Sequence, residues 1–347
     1  MNTGILFALL AAALFGASTP LAKALLGDVS PVLLAGLLYL GSGLGLGGAR
    51  LIRDRGWRPS GLKPQEWPWL LGAILFGGVF GPVLLLFGLI STPGSTAALL
   101  LNLETVLTAL IAWVAFRENA DRRIVLGMVA IVAGGVLLSW PSDTSRATPW
   151  LGPLAIAAAC LCWAIDNNLT RQVSASDALF IAGSKGLLAG TVNCSLAFII
   201  SAASLPAMPI LLATLLLGLL GYGLSLVLFV LALRALGTAR TGAYFASAPF
   251  LGAAVALLLF GEVLTPIFWA AGGLMGLGVY LHLTERHEHV HTHLPQEHRH
   301  WHSHDGHHQH EHAFAWNDQK AHEHSHHHPE LTHKHPHFPD IHHRHEH

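Results

Sequence analysis

Through residue 283 the chain alternates between apolar runs near twenty residues long and short polar breaks. A helix rises about 1.5 Å per residue, so about twenty apolar residues cross a hydrocarbon layer of about 30 Å. Ten runs have that length, at about 4–26, 31–50, 67–90, 93–116, 123–140, 150–170, 178–201, 208–232, 240–261 and 265–283. The first resembles a secretory signal, but no basic residue precedes it and ILFALLAAALFGASTPLAKALL exceeds a signal core, so it reads as a span. Trp67, Trp69, Trp140 and Trp150 fall at run ends, where amphipathic rings settle at a membrane interface. The pattern predicts an all-α integral membrane protein of ten transmembrane helices.

The runs also repeat. TAALLLNLETVLTALIAWVAFRE (96–118) lies over RTGAYFASAPFLGAAVALLLFGE (240–262), ALFGASTPLAK (13–23) over LCWAIDNNLTR (161–171), and AGLLYLGSG (35–43) over AGSKGLLAG (182–190). Five spans per half is an odd number, so equivalent segments cross in opposite directions. Glu118 and Glu262, which close the fourth and ninth spans, then lie at opposite faces. An inverted repeat lets a central site open to each side in turn.

Lysine and arginine give the sidedness. With the N-terminus inside, the inner loops carry Arg50, Arg53, Arg55, Arg58, Lys63, Arg117, Arg122, Arg123, Arg171, Arg234 and Arg240, against Lys23 and Arg146 outside. That asymmetry places both termini in the cytoplasm.

Two five-span halves, each with small polar residues in its first span and FxE at the end of its fourth, resemble the EamA family of the drug/metabolite transporter superfamily. The resemblance covers residues 4–283. It implies repeats over 1–141 and 150–283, a cavity between them, and alternating-access transport of a small metabolite, as an exporter of the bacterial cytoplasmic membrane. It does not imply a substrate.

Composition fits this picture. The chain is 52% hydrophobic and 11% charged, against about 25% charged in a soluble domain. A net charge of −1 without a basic face excludes nucleic-acid binding. Cys160, Cys162 and Cys194 are too few and too apolar in setting for a disulfide framework. No Ser/His/Asp grouping, phosphate loop or helical HExxH occurs, so no enzyme is expected.

Polar residues inside a span need a partner or a wet cavity. Glu104 lies mid-span, with Ala248 at the matched place in the other half. It is either a protonatable carboxylate facing a cavity or a carboxyl bonded to Asn102, Thr105 or a neighbouring helix. Asp166 and Lys185 fall at similar depth, as a buried ion pair or as substrate contacts. Ser18 and Thr19 match Asp166 and Asn167, which makes all four candidates for the cavity wall. Asn102, Tyr222 and Tyr244 complete the candidate set, while Pro20 and Pro249 mark candidate helix breaks.

The remaining segment, 284–347, changes character. All 25 histidines fall at or after His282. Low apolar content and scattered prolines predict a disordered tail. Imidazole suits zinc, nickel, cobalt and copper, so His298, His300, His302, His304, His307, His308, His310, His312, His326, His327 and His328 are candidate ligands. A tail that charges below about pH 6.5 and a neutral low-complexity expansion are the alternatives. The bundle holds no histidine, and Cys160 and Cys162 lie about 200° apart around a helix. The bundle is therefore poorly built to pass a bare ion. Metal efflux or homeostasis through the tail, and a membrane-anchored metal buffer, remain the alternative functions. No cofactor is required; the expected partners are a small-molecule substrate, lipid, metal ions on the tail and a second copy as a homodimer.

Overall fold

The computed structural model describes residues 3–116, 122–140, 150–173, 176–201, 203–236, 241, 244–262 and 264–284, and the backbone of four strands beyond them. Residues 1–285 form one compact unit and 286–347 another.

The first unit is helical at every expected span. Among the described residues seven helical stretches are long and apolar enough to cross a membrane, and Ala248–Phe260 and Pro266–Leu281 are shorter apolar helices. The sixth span, Leu151–Val173, is also helical but diluted by Asp166, Asn167 and Asn168. The second span, Pro31–Asp54, packs along the seventh, Ala178–Ser201. Gly36 meets Cys194 and Gly43 meets Gly186, so the two run antiparallel. The fifth span, Arg122–Ser139, meets the tenth, Pro266–Leu283, in the same sense, Gly134 against Ala271 and Gly278 against Ile131. Small residues permit these approaches where lipid gives no hydrophobic drive. The remaining contacts obey the same exchange: the third span touches the sixth as the eighth touches the first, and the fourth touches the sixth as the ninth touches the first. The bundle is therefore two inverted five-helix repeats.

Both halves distort their helices at matched places. The third span carries a π-helical turn, Ile74–Phe80, and the eighth carries another, Leu219–Leu224. In the first half Pro82 is a cause, because it lacks the N–H that would bond Gly78 O and its ring crowds the preceding turn. Gly78 O accepts instead from Asn193 Nδ2 at 2.9 Å, and Gly77 O from Tyr39 Oη at 2.6 Å and Trp163 Nε1 at 3.0 Å. The fourth span breaks at Leu101, between Gly94–Leu100 and Asn102–Phe116. The ninth breaks before Ser247, where Pro249 starts the helix Ala248–Phe260. Pro20, by contrast, sits inside the unbroken helix Thr3–Leu25.

Of the second unit only backbone segments are described. Four strands, β1 Glu288–His293, β2 Gln296–His302, β3 His322–His328 and β4 Leu331–Pro336, pair as antiparallel β1·β4 and β2·β3. HxH spacing has a period of two, which is also the period of a strand.

Candidate functional site

The sixth span supplies the centre. Asp166 is 6% exposed and Lys185, from the seventh span, is 8% exposed. Lys185 Nζ donates to both Asp166 oxygens at 2.6 and 2.7 Å and lies 3.3 Å from Thr170 Oγ1. Thr170, one turn on, donates to Asp166 at 2.8 Å. Two opposite charges held this closely in a dry setting satisfy one another. The ion-pair alternative for these residues is thus the arrangement found.

The carboxyl of Asp166 lies directly against Gly77 in the π turn; a Cβ at Gly77 would come within 2.6 Å of Asp166 Cβ. The other half copies this contact. A Cβ at Gly221, in the second π turn, would come within 2.6 Å of Ser18 Cβ. The sequence pairing of Ser18 with Asp166 is therefore a pairing in space. Ser18 is fully buried and its hydroxyl donates to Phe15 O at 2.6 Å. Thr19 is buried in the same turn.

Glu104 takes its partner from the sixth span, not from Asn102 or Thr105. Its Oε1 accepts from Asn167 Nδ2 at 2.8 Å, and Asn167 also lies 3.4 Å from Thr108 Oγ1. Glu104 is half-buried and within electrostatic range of Asp166 and Lys185. At the matched position Ala248 carries no polar group; it is buried and its backbone packs onto Gly16. The two halves thus differ where the carboxylate enters.

Aromatic rings join the halves beside these charges. Tyr222 lies 5.4 Å from Tyr39 and 6.2 Å from Phe15, and Phe15 lies 6.4 Å from Trp163 and 5.6 Å from Phe245. Tyr222, Tyr39, Trp163, Asp166, Lys185 and Glu104 therefore form one neighbourhood. Asn102 is not brought into it by its own bonds: its amide donates to Leu99 O at 2.9 Å and lies 4.0 Å from Met275 Sδ in the tenth span. Tyr244 sits at the break of the ninth span, and it is the adjacent Phe245 whose ring joins the cluster. Tyr39, Thr170, Trp163 and Asn193 were missed by sequence reasoning. Asn193, a lone amide in an apolar run, was the one with a visible signal.

The closing glutamate has a structural role. Gly261 takes the left-handed conformation at φ 58°, which glycine adopts freely, and turns the chain out of the ninth span. Glu262 then accepts from the Gly94 and Ser95 amides at 2.6 and 3.0 Å and from the Ser95 hydroxyl. Lys23 donates beside it to Leu89 O and Thr92 O, both at 2.6 Å. Glu118 lies outside the described residues. A second clamp joins Arg50 and Arg53 of the second span to Asp177, at 3.0 and 2.6 Å. Partial burial would raise the Asp177 carboxyl, but hydrogen bonds from Arg53, Arg50 and the Leu179 amide outweigh it and hold it down at about 2.

Among the described residues no three His, Cys, Asp or Glu side chains are grouped to hold a metal. Of the tail candidates, His298, His300 and His302 lie in β2 and His326, His327 and His328 in β3, placed by backbone alone. His304, His307, His308, His310 and His312 lie outside the described residues.

The sequence pattern of the EamA-like transporter family matches this chain twice, at residues 2–140 and 150–284. An uncharacterized transporter of the archaeon Methanothermobacter thermautotrophicus is 28% identical over 281 residues, 77% of this chain and 82% of that protein. A solved crystal structure superposes with a TM-score of 0.62 at 20% identity, over 82% of this chain and 99% of that one, a likeness of fold. Each family match covers one five-span half, with the π turns and breaks repeated in both. The chain belongs to the EamA-like transporter family and is a multi-pass membrane transporter, not an enzyme.

Proposed function

We propose that the protein is a secondary transporter of a small metabolite, working by alternating access between the two repeats, with export as its direction. The observation that carries this reading is the convergence of Glu104–Asn167, Asp166–Lys185 and the Tyr39–Tyr222 rings beside a π turn, where residues of both halves meet. Irregular backbone and ionisable groups are kept in a membrane where a pathway needs them. Glu104 binds a cationic group or carries a proton, and the rings supply apolar walls. Ser18, Thr19 and Asn167 line the same path, and Asn102 and Tyr244 act at the two helix breaks.

The positive-inside asymmetry supports cytoplasmic termini in a bacterial inner membrane, with Glu262 at the outer face. A metal-efflux role draws support from the tail alone, because the described part of the bundle offers no grouped ligands. The discriminating experiment compares metabolites in the medium of cells that overexpress, lack, or carry a chain stopped after residue 286, with and without nickel, zinc, cobalt or copper stress. Transport unaffected by truncation and unchanged metal tolerance support the metabolite reading. Metal sensitivity that appears only when the tail is lost, with no metabolite difference, overturns it.

A further inference from the structure

The polar break between the second and third spans is a tightly fixed loop. Arg55 closes the helix Pro31–Asp54 in the left-handed conformation at φ 53°, and Gly56 and Gly61 turn the chain at φ 131° and 76°. Arg50, only 6% exposed, holds the loop from beneath. Its Nη2 donates to Arg58 O and Pro59 O at 3.0 and 3.2 Å, and its guanidinium lies 5.9 Å from the Trp57 ring. The same guanidinium pairs with Asp177 at the start of the seventh span, so the loop is fastened to both halves. Leu62 packs inward against the cluster of Leu70, Val173 and Ile181.

What the loop leaves outside is cationic and apolar together. Its acids are already engaged: Asp54 accepts from Arg53 Nε, and Glu66 accepts from the Lys63 amide, both at 2.7 Å. Among the described residues no acidic side chain pairs with Arg55, Arg58 or Lys63, and all three are exposed. Beside them Ile52 is 81% and Trp57 77% exposed. Two membrane spans end here, so these side chains stand at the level of the lipid headgroups. We propose that residues 52–63 form a seat for an anionic phospholipid, whose phosphate Arg55, Arg58 and Lys63 bind while Ile52 and Trp57 enter the layer beneath it. Guanidinium groups match phosphate oxygens in charge and geometry. The apolar pair selects a lipid over a free anion, because a soluble phosphate offers nothing to cover Ile52 and Trp57.

The test titrates the full-length protein in detergent with short-chain phosphatidylglycerol, short-chain phosphatidylcholine or inorganic phosphate, and reads the rise in thermal midpoint against concentration. Each basic residue at an anionic surface strengthens binding by about fivefold at low salt. Arg55→Gln with Arg58→Gln should therefore raise the half-maximal phosphatidylglycerol concentration by about 25-fold, and Arg58→Gln with Lys63→Gln should do the same. The control, Arg122→Gln with Arg123→Gln, removes two exposed cations from the start of the fifth span and should leave that concentration near the wild-type value. Added salt should weaken the phosphatidylglycerol response in wild type. An equal loss in the control and the loop variants overturns the seat and leaves only diffuse charge. A response to phosphatidylcholine or to inorganic phosphate equal to that of phosphatidylglycerol overturns the anionic lipid as occupant.

Discussion

Replacing Asp166 and Lys185, singly and together, separates a stabilising ion pair from a working one. The substitutions Asp166→Asn and Lys185→Met keep shape and length, which matters because Gly77 leaves no space beside Asp166. Lys185 Nζ holds both carboxylate oxygens at 2.6 and 2.7 Å, and both residues are under a tenth exposed. Either single change leaves the other charge buried with Thr170 as its remaining side-chain partner. An uncompensated buried charge costs about 3–5 kcal/mol. At about 2–4 °C per kcal/mol for a chain of this class, the thermal midpoint falls by roughly 5–20 °C. The double variant removes both charges and should return to within about 1–2 kcal/mol of wild type. The assay is thermal denaturation of the purified protein in detergent, alongside transport in vesicles. We expect the double variant to be stable and inactive, as the proposal that the pair lines the translocation site requires. A double variant that is stable and transports normally refutes the site role, and one as unstable as either single refutes the closed ion pair.

Three further outcomes follow from the same geometry. Gly77→Ala should displace the Asp166 carboxyl and Gly221→Ala should displace Ser18, each destabilising by about 1–3 kcal/mol in a thermal scan through overpacking; wild-type midpoints would contradict the repeated π-turn contact. Glu262→Gln should weaken the bond to the Gly94 and Ser95 amides by about 1 kcal/mol, read as faster labelling of a cysteine placed at Ser95, with unchanged labelling as the contrary result. Asp177 titrates at about 2 in place of its ordinary 3.8, so its stabilisation is full above about pH 4 and lost as pH falls through about 2. With solvent screening that contribution is about 1–2 kcal/mol. An Asp177→Asn variant should therefore be less stable than wild type at pH 7 and equal to it near pH 2; equal stability at pH 7 would contradict the clamp.

The sequence was most legible where physics acts through simple periodicity. Ten apolar runs and their offset repeats carried the bundle and its inversion, because length and apolarity are what a membrane selects. The alignment of Ser18 with Asp166 already held a spatial fact, the shared seat against Gly221 and Gly77. The π turns were harder to see. Pro82 in VFGPVL signals that Gly78 O must find another donor, but Asn193, Tyr39 and Trp163 lie far away in sequence, and only packing selects them. Leu101 carries no breaker at all, so the interruption of the fourth span was invisible, whereas Pro249 marked its counterpart. Tyr244 was singled out for its hydroxyl; the fold uses the neighbouring ring of Phe245. Glu104 stood out as a candidate, since a carboxylate in lipid demands an explanation, yet its partner Asn167 could be found only once the fourth and sixth spans met.

The central claim is that a small molecule crosses through the Glu104–Asp166 neighbourhood. Its most direct measurement is comparative metabolite profiling of culture medium from cells expressing wild type, no protein, and Glu104→Gln at matched membrane abundance. The account predicts at least one small metabolite that accumulates outside only with wild type and returns to the background level with Glu104→Gln. A metabolite exported equally by wild type and Glu104→Gln, or no difference among the three cultures, would contradict it.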